Sequence, residues 1–340
     1  MITNISDLIQ PDFSGCVLVT KDNKILYEDC FGYSDLSNKI PNKINTRFAT
    51  ASAGKVFVAV GILKLIEAGK LSFDSTIGAI LDFNLKAIDL NITVEQLLTH
   101  TSGIPDYFDE RIMENYDELW RDYPNYKIRT SSDLIPLFIN MPMMYPRGWK
   151  FQYNNTGFVV LGLIIEKVTG MLFDKFLHKE IFLPCGMNDT GYYELDRLPE
   201  RCANSYIYDN IRDDFYTNIY SVDVKGTGAG GAFTTVWDVY RFWNALYNGK
   251  LISDEMTNNM LSLHASDNNE YYGYGIWLDK QYNECSIGNG DFTPHFEGCD
   301  PGVSFISSRS INKIVITVVS NMGQNVWKIR NDILKEIEDL

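Results

Sequence analysis

Two side chains near position 52 are able to support nucleophilic chemistry. Ser52 and Lys55 occur three residues apart in the stretch Ser-Ala-Gly-Lys, at the predicted start of a long apolar helix. This spacing places the hydroxyl and the amine on one helical face, close to free backbone N–H groups and the positive end of the helix dipole. A serine hydroxyl needs a nearby base, and a lysine can serve when burial disfavours its charge. The alternative is a serine N-cap beside an exposed lysine, which is the commoner situation for an isolated pair.

Two later segments carry further candidate groups. Tyr153 and Asn155 directly precede a predicted buried helix that ends at Gly170. At its start a phenol can transfer a proton and an amide can hold a substrate carbonyl. The alternative there is a packed tyrosine next to a capping asparagine. The second segment, HFEGCDPG at residues 295–302, lies on a late predicted strand, where a glycine allows a ligand to approach the backbone. Its alternative is a strand end followed by a turn.

Strands near both chain ends and helices between them must position these groups. The pattern predicts a strand pair over residues 14–31 and a buried helix over residues 52–68, with Gly69 as its left-handed C-cap. Strands return between about residues 274 and 320, and an amphipathic helix closes the chain. Helical signals dominate the middle of the sequence.

This order of elements predicts two domains. Residues 1–80 and 221–340 are expected to form one α/β domain, with a sheet built from both chain ends. Residues 81–220 are expected to form an inserted helical domain. Clefts form at such junctions, so the active site is expected between the two.

The composition limits the classes of protein that the chain can be. It has 340 residues, a formal net charge of −14 at pH 7 and 45% hydrophobic residues, which is enough to form a packed core. The acidic balance argues against nucleic acid and against an anionic membrane surface as partners, because both need clusters of Lys and Arg. We see no signal-peptide pattern and no apolar run long enough to span a membrane, so a cytoplasmic location is expected, with a secreted chain whose leader has been removed as the alternative.

Cysteine and histidine usage gives no sign of a metal site. The six cysteines occur without CxxC spacing, and the four histidines occur without paired spacing. The sequence therefore predicts free thiols that lie mostly in the core, with no catalytic metal and no cofactor.

Taken together, these segments resemble those of serine β-lactamases and penicillin-binding-protein-like hydrolases, in the branch of class C β-lactamases, DD-peptidases and related esterases. The resemblance extends over about residues 15–320 and rests on FATASAGKVF, QLLTHTSGIPD, FQYNNTGF, IFLPCGMNDTGY and GAGGAFTTVWDVYRFW. It implies a β-lactamase/transpeptidase-like α/β (α+β) fold: a mainly antiparallel sheet flanked by helices, with an inserted all-helical region.

The resemblance also implies a role for each matched residue. Ser52 is expected to be the nucleophile that forms an acyl-enzyme, and Lys55 and Tyr153 to share the acid and base duties, with either as the base. Asn155 is expected to orient the acyl group of the substrate. The oxyanion hole is expected to consist of the backbone N–H groups of Ser52 and Cys299, which stabilise charge that appears only in the transition state.

The third segment departs from the family pattern, which has Lys-Thr-Gly or His-x-Gly there. Gly298 falls on the motif glycine, so Phe296 and Glu297 precede it and His295 lies one place early. The usual cation beside the nucleophile is therefore missing, unless a strand bulge returns His295 to that position. Glu297 adds a negative charge that would repel the carboxylate of a penicillin. The expected substrate-binding residues of this segment are His295, Glu297, Gly298 and Cys299.

These features favour a serine hydrolase of small esters, amides or D-amino-acid-type peptides, with weak β-lactam recognition and an amine of the substrate facing Glu297. One alternative is a β-lactamase or cell-wall DD-peptidase, that is, a penicillin-binding protein. The other is a catalytically silent binding or sensor module, which the altered third segment favours. The expected partner is a small molecule or short peptide, and the sequence does not determine the oligomeric state.

Three other features are interpreted through the same resemblance. His100, in LLTHTSG, is placed in a structural turn and not among the catalytic groups. Residues 105–120, acidic and aromatic, form either a flap over the cleft or a solvated helix. Only about 13 residues precede the first strand, so the N-terminal helix of relatives is expected to be short or absent.

Overall fold

A sheet built from both ends of the chain lies at the centre of the structure, a computed structural model that describes residues 5–113, 115–280 and 292–338. The strands within these ranges are β1 (Gly15–Lys21), β2 (Lys24–Phe31), β3 (Tyr33–Asp35), β4 (Ile40–Pro41), β5 (Phe48–Ala49), β6 (Tyr206–Asp209), β7 (Asp214–Thr217), β8 (Phe233–Thr234), β9 (Ala265–Asp267), β10 (Glu270–Tyr272), β11 (Trp277–Lys280), β12 (Phe292–Asp300), β13 (Val303–Arg309) and β14 (Ile314–Ser320). The central antiparallel sheet has the order β2-β1-β14-β13-β12-β11-β10-β9. Because β1 pairs with β14, the sheet holds the two chain ends together.

Helices pack against both faces of this sheet. The α-helices of the described residues are α1 (Lys55–Glu67), α2 (Ile77–Ile80), α3 (Val94–Leu98), α4 (Ile135–Phe138), α5 (Asn155–Thr169), α6 (Phe173–Leu177), α7 (Leu183–Cys185), α8 (Val236–Tyr247), α9 (Asp254–Met260) and α10 (Val326–Glu338). A π-helical turn (His178–Phe182) joins α6 to α7. Short 3-10 helices span Ile5–Leu8, Ala51–Gly54, Tyr116–Arg121, Asn125–Lys127, Ser131–Leu134, Leu195–Arg197 and Asn218–Tyr220.

Side chains that alternate along the central strands divide the core into two layers. On β1, Val17 and Val19 face α10 and the N-terminal 3-10 turn, whereas Cys16 and Leu18 face the larger core that contains α1, α5 and α8. Every residue of β14 is buried, as is typical of a strand covered on both faces.

The segment before β1 is described from Ile5 onward, and in this part the expected short helix is the 3-10 turn Ile5–Leu8. The buried side chains of Ile5, Ile9 and Phe13 pack in one cluster with α10. These three apolar residues cover sheet surface that α10 alone leaves open.

Two buried helices bring their N-termini to one place. α1 and α5 are almost fully buried, and each is followed by a glycine in the left-handed conformation, Gly69 and Gly170, so both predicted helix ends are confirmed. Asn154 caps α5 by accepting a hydrogen bond from the N–H of Gly157 at 2.7 Å. The first residues of the two helices, Lys55 and Asn155, therefore meet in a single cleft.

The inserted region is less helical than expected. The hairpin of β6 and β7 lies inside residues 81–220, so an all-helical insertion is wrong at this point, although the α/β fold with a mainly antiparallel sheet is confirmed. Tyr and Phe residues on both sides of the polar turn favour strand pairing there. The division of the chain into two domains stays a prediction.

Two of the six cysteines are paired. Cys16 and Cys30 lie opposite each other on β1 and β2 and form a disulfide, so the prediction of free thiols is wrong for this pair. Sequence spacing alone does not reveal a cross-strand neighbour, which depends on register. Cys185, Cys202 and Cys299 are free, and Cys285 lies outside the described residues. A disulfide is typical of oxidising compartments, which weighs against the cytoplasmic location that stays a prediction.

No single helix in the described ranges has the length and apolar character needed to cross a membrane. Among the described helices, α5 and the stretch from α6 to α7 together have the length and apolar composition of a membrane span, but this pair is bent by 76°. α5 itself is a buried core helix.

Candidate active site

The hydroxyl of Ser52 and the amine of Lys55 are hydrogen-bonded at the start of α1. Ser52 lies in the 3-10 turn Ala51–Gly54 and Lys55 is the first residue of α1, so one turn brings their side chains together. Lys55 Nζ donates to Ser52 Oγ at 2.9 Å, to Asn155 Oδ1 at 2.8 Å and to the Ala229 carbonyl oxygen at 2.6 Å. All three acceptors are uncharged.

Burial changes the protonation of Lys55, which is only 3% exposed. Removal of the ammonium from water lowers the pKa of Lys55 to about 8, and the negative charges of Glu110 and Asp106 oppose this shift. A lysine with this pKa is mainly protonated at pH 7, with a minor uncharged fraction that increases toward pH 8. It can therefore accept the proton of Ser52.

Tyr153 supplies a phenol to the same cleft. Its ring lies 4.9 Å from Lys55 Nζ and stacks on the Trp277 ring with a centroid distance of 5.7 Å. Burial raises the pKa of Tyr153 well above its usual range, as does the charge of Glu110, while a hydrogen bond with Ser52 opposes the shift. The phenol is therefore protonated over the physiological range and able to donate a hydrogen bond, while its predicted share in the acid and base duties stays a prediction.

Asn155 links the lysine to the loop that precedes α5. Its Oδ1 accepts from Lys55, while its Nδ2 donates to the Phe108 carbonyl oxygen at 3.1 Å and to Glu110 Oε1 at 3.3 Å. The backbone N–H of Asn155 donates to Asp106 Oδ2 at 2.9 Å. Both ends of the amide are thus engaged within the protein, and its predicted role in orienting an acyl group stays a prediction.

Strand β12 passes directly against the start of α1 at Gly298. A Cβ atom added there would lie 2.7 Å from the backbone nitrogen of Ser52 and 2.2 Å from the Thr50 carbonyl oxygen, so only glycine fits. The next residue, Cys299, follows on the strand beside this contact. Partial desolvation of the sulfur, together with the negative charge of Asp300, raises the pKa of the Cys299 thiol to about 11. The thiol is therefore protonated, and the predicted part of the Cys299 backbone N–H in an oxyanion hole stays a prediction.

Phe296 and His295 point to opposite sides of β12. Phe296 is 2% exposed and packs with Phe57, Phe242 and other aromatic side chains in the core. The register between β12 and β13 runs without a shift from residue 295 to residue 300, so no bulge of β12 moves His295 into the motif position. Instead His295 Nδ1 lies 3.4 Å from Asp279 Oδ2 and its Nε2 lies 3.5 Å from Glu297 Oε2.

Two cavities meet at Ser52. The first has a volume of about 690 Å³ and extends along Asn155 toward Asp223 and Asp300, between mainly aromatic and aliphatic walls. The second has a volume of about 460 Å³ and is lined by groups that include Tyr153, Trp277, His295, Glu297 and Arg330. Cys299 and Glu110 line both. Ser52 therefore opens to substrate space on two sides.

Carboxyl groups dominate the charge around the first cavity. Among the described residues that line it there is no lysine, arginine or histidine. Burial raises the pKa of Asp223 to about 6 and that of Asp300 to about 8, and the negative charge of Asp223 contributes to the shift at Asp300. A positively charged group placed beside these carboxyls would lower both pKa values.

Several residues of the site were not predicted as site residues. Asp106, Glu110, Asp223 and Asp300 depend on chain segments that only tertiary packing brings together. In the described part of residues 105–120, the 3-10 helix Tyr116–Arg121 covers the end of the segment, but much of the segment faces the first cavity and so agrees better with the flap interpretation than with a solvated helix. The lining residues are Tyr107, Phe108, Glu110, Met113, Asn115, Tyr116 and Asp117. The sequence Pro105-Asp106 after LLTHTSG could have indicated Asp106, because its buried carboxyl group accepts hydrogen bonds from the backbone N–H groups at the start of α5.

Within residues 5–113, 115–280 and 292–338, no group of three or more His, Cys, Asp and Glu is arranged to hold a metal ion.

A serine hydroxyl hydrogen-bonded to a buried lysine, at the junction of an antiparallel sheet and helices, is the arrangement of a serine hydrolase. The chain belongs to the Beta-lactamase family, which it matches over residues 8–333. The predicted family and the predicted enzyme class are confirmed.

Curated relatives cover almost the whole chain. Penicillin-binding protein 4* of Bacillus subtilis (strain 168) is 32% identical over 96% of this chain and 72% of its own length. A teichoic acid D-alanine hydrolase of Staphylococcus aureus is 24% identical over 95% of this chain and 75% of its own length.

Solved structures show the same fold. The penicillin-binding protein of Bacillus halodurans superimposes with a TM-score of 0.91 at 36% identity, over 98% of this chain and 99% of that one. A D-amino acid amidase of Ochrobactrum anthropi SV3, in complex with D-phenylalanine, has a TM-score of 0.79 at 22% identity, over 99% of each chain. At that identity the second likeness shows the fold alone.

Proposed function

We propose that the protein is a serine hydrolase that forms an acyl-enzyme on Ser52 and acts on small esters, amides or D-amino-acid-type peptides whose acyl group carries an ammonium. One observation carries this proposal: Ser52 Oγ lies 2.9 Å from a buried lysine amine, in a cleft lined by carboxyl groups. β-Lactam recognition is weak in this proposal.

The acylation step follows from the side chains at the cleft. Uncharged Lys55 accepts the proton of Ser52 as Oγ attacks the substrate carbonyl carbon. The backbone N–H groups of Ser52 and Cys299 stabilise the oxyanion, and each such donor contributes about 3–4 kcal/mol in comparable enzymes. Tyr153 donates its proton to the leaving group and regains one from the Lys55 ammonium, which returns both side chains to their starting protonation states. In deacylation Lys55 accepts a proton from the attacking water, and this proton passes to Ser52 Oγ as the acyl-serine bond breaks. The raised pKa of Tyr153 and the lowered pKa of Lys55 support the lysine as the base.

The charge of the cleft supports a substrate with an amine. Glu110 lines both cavities beside Ser52, and Glu297 lines the second, where its carboxylate is 30% exposed. The motif position that would hold a cation is occupied by buried Phe296. The basic side chains among the described residues that line the second cavity, His295 and Arg330, lie against the carboxylates of Asp279 and Glu297, so a penicillin carboxylate meets Glu297 without an unpaired positive charge beside it. A teichoic acid D-alanine hydrolase among the relatives supports a D-aminoacyl group as the acyl part.

A matched pair of substrates tests this function. We expect D-alanine and D-phenylalanine 4-nitroanilides or short esters to be hydrolysed at least about tenfold better, in kcat/KM, than their N-acetyl derivatives, because only the free ammonium meets the carboxylates. Mass spectrometry of the trapped enzyme is expected to place the acyl group on Ser52, and Ser52→Ala is expected to be inactive. Rapid acylation by benzylpenicillin with negligible ester turnover would contradict the proposal.

The second candidate function is that of a penicillin-binding protein, a cell-wall DD-peptidase or a β-lactamase, which the B. subtilis and B. halodurans relatives favour. It predicts stable labelling of Ser52 by a fluorescent penicillin at micromolar concentration. A silent binding module, the third possibility, predicts that wild type and Ser52→Ala are equally inert toward esters, D-amino-acid amides and β-lactams.

A further inference from the structure

One buried histidine outside the reacting groups contacts the segment that carries Tyr153. His100 follows α3 in a left-handed backbone conformation, with φ +55°, and is 1% exposed. This conformation is uncommon for a residue with a large side chain and persists only where tertiary contacts hold it. The contacts of His100 therefore indicate what the conformation achieves.

His100 holds the backbone on both sides of Tyr153. The N–H of Gln152 donates to the carbonyl oxygen of His100 at 3.0 Å, and the N–H of Asn154 donates to Nδ1 of its ring at 3.1 Å. The imidazole also lies 4.6 Å from the Tyr153 ring, measured between centroids. One residue thus supplies two hydrogen bonds and a ring contact around the phenol.

The second ring nitrogen of His100 is also engaged. Because Nδ1 accepts a hydrogen bond, the ring proton lies on Nε2, which is 3.1 Å from the hydroxyl of Tyr272. Tyr272 packs against Trp277 with a centroid distance of 4.8 Å, and Trp277 stacks on Tyr153. His100, Tyr272 and Trp277 therefore form a continuous series of contacts that begins and ends at the Tyr153 ring.

Electrostatics keep this imidazole uncharged. Burial lowers the pKa of His100 well below its usual range, and the positive charge of Lys55 lowers it further. An imidazolium would have no acceptor for the N–H of Asn154. The phenols of Tyr153 and Tyr272, which face the ring, have raised pKa values through burial and stay protonated as well.

We propose that His100 is a positioning residue for acyl transfer, because it fixes the Tyr153 phenol beside Ser52 through the backbone at residues 152 and 154. An apolar side chain of similar size would fill the volume but would leave the buried N–H of Asn154 without an acceptor. The proposal rests on the acyl-transfer chemistry proposed at Ser52 and not on the substrate class.

Three variants of His100 test the proposal on an uncharged short-chain ester, with reactive sites counted by a fluorophosphonate. His100→Asn keeps an acceptor near the position of Nδ1 and tolerates the left-handed conformation, whereas the longer side chain of His100→Gln displaces the acceptor. We expect His100→Ala and His100→Gln to lose about 100-fold in kcat per reactive site with KM nearly unchanged, since a misplacement of about 1 Å has effects of this size. His100→Asn is expected to recover at least about tenfold of that loss.

The unfolding temperatures of the His100 variants show whether a loss of kcat comes from unfolding of the protein or from loss of the positioning role. A folded His100→Ala or His100→Gln with wild-type kcat per site would overturn the proposal, and so would a His100→Asn no better than His100→Gln. If His100→Ala does not fold, the Asn and Gln pair decides. Tyr272→Phe leaves in place the hydrogen bond from the N–H of Asn154 to Nδ1 of His100, so this variant is expected to retain nearly full kcat. A loss of kcat equal to that of His100→Gln would also overturn the proposal. Wild-type turnover of the simple ester without turnover of D-aminoacyl substrates would contradict the proposed substrate alone.

Discussion

The two sides of the cleft are built differently. On the helical side, Ser52, Lys55 and Asn155 are joined by hydrogen bonds of 2.8–2.9 Å and are largely buried. On the strand side, His295 lies 3.4 Å and 3.5 Å from its two carboxylate neighbours, and Glu297 is 30% exposed. The first arrangement is fixed by burial and by saturated hydrogen bonds, while the second has a partly solvated charge. The difference suggests that the reaction depends on the helical side and substrate choice on the strand side.

Loss of the base is expected to have the largest effect. Lys55→Met removes the amine, and Lys55→Arg keeps a charge that cannot be removed near neutral pH. Both are expected to lower the rate of acylation by roughly 10⁴-fold, as for removal of a base in comparable enzymes. Stopped-flow acylation with a chromogenic ester measures this. An active Lys55→Arg would show that the lysine does not accept the proton.

Reversal of the charge at position 297 tests the strand side. Glu297→Lys is expected to raise the rate of acylation by benzylpenicillin and to lower kcat/KM for D-aminoacyl esters, each by about tenfold. The new ammonium attracts the penicillin carboxylate and repels the ammonium of a D-aminoacyl ester. Glu270→Lys makes the same change of charge elsewhere in the second cavity and serves as the control. Equal effects of the two variants would assign the preference to the net charge of the cavity and not to Glu297.

The pH dependence of acylation tests the environment of Lys55. The pKa of about 8 predicts that kcat/KM for an uncharged ester falls as pH decreases below 8, because the protonated amine cannot accept the serine proton. Glu110 raises this pKa, so Glu110→Gln is expected to move the limb to lower pH and to increase the rate at pH 7 a few-fold. A limb that moves to higher pH would contradict the sign of this coupling.

The disulfide lies away from the cleft and gives the smallest expected effect on activity. The double variant Cys16→Ala/Cys30→Ala is expected to lower the free energy of unfolding by about 3 kcal/mol, the value for a closed loop of this length. Its kcat/KM is expected to equal that of wild type. Denaturation in urea with and without a reducing agent measures the first quantity, and a reducing agent without effect on wild type would contradict the pairing.

Local patterns in the sequence were sufficient for the helical side. The apolar run after Lys55, the capping residues before α5 and the glycines after both helices depend on neighbours in the chain, and the structure has each where it was expected. The family resemblance added the expectation that Tyr153 joins Ser52 and Lys55. The hairpin of β6 and β7 and the Cys16–Cys30 pair were missed, because a pairing across strands depends on register and not on local order.

What the sequence by itself determined is the set of reactive groups and the two helices that present them, since helix periodicity and capping act over a few residues. Only the tertiary structure decided their protonation and surroundings. The pKa of Lys55 is lowered because distant segments, at Asn155 and Ala229 among others, exclude water from it, and Asp223 and Asp300 approach each other only after the chain has folded. Burial and long-range electrostatics depend on the whole packed molecule, and no short pattern of residues contains them.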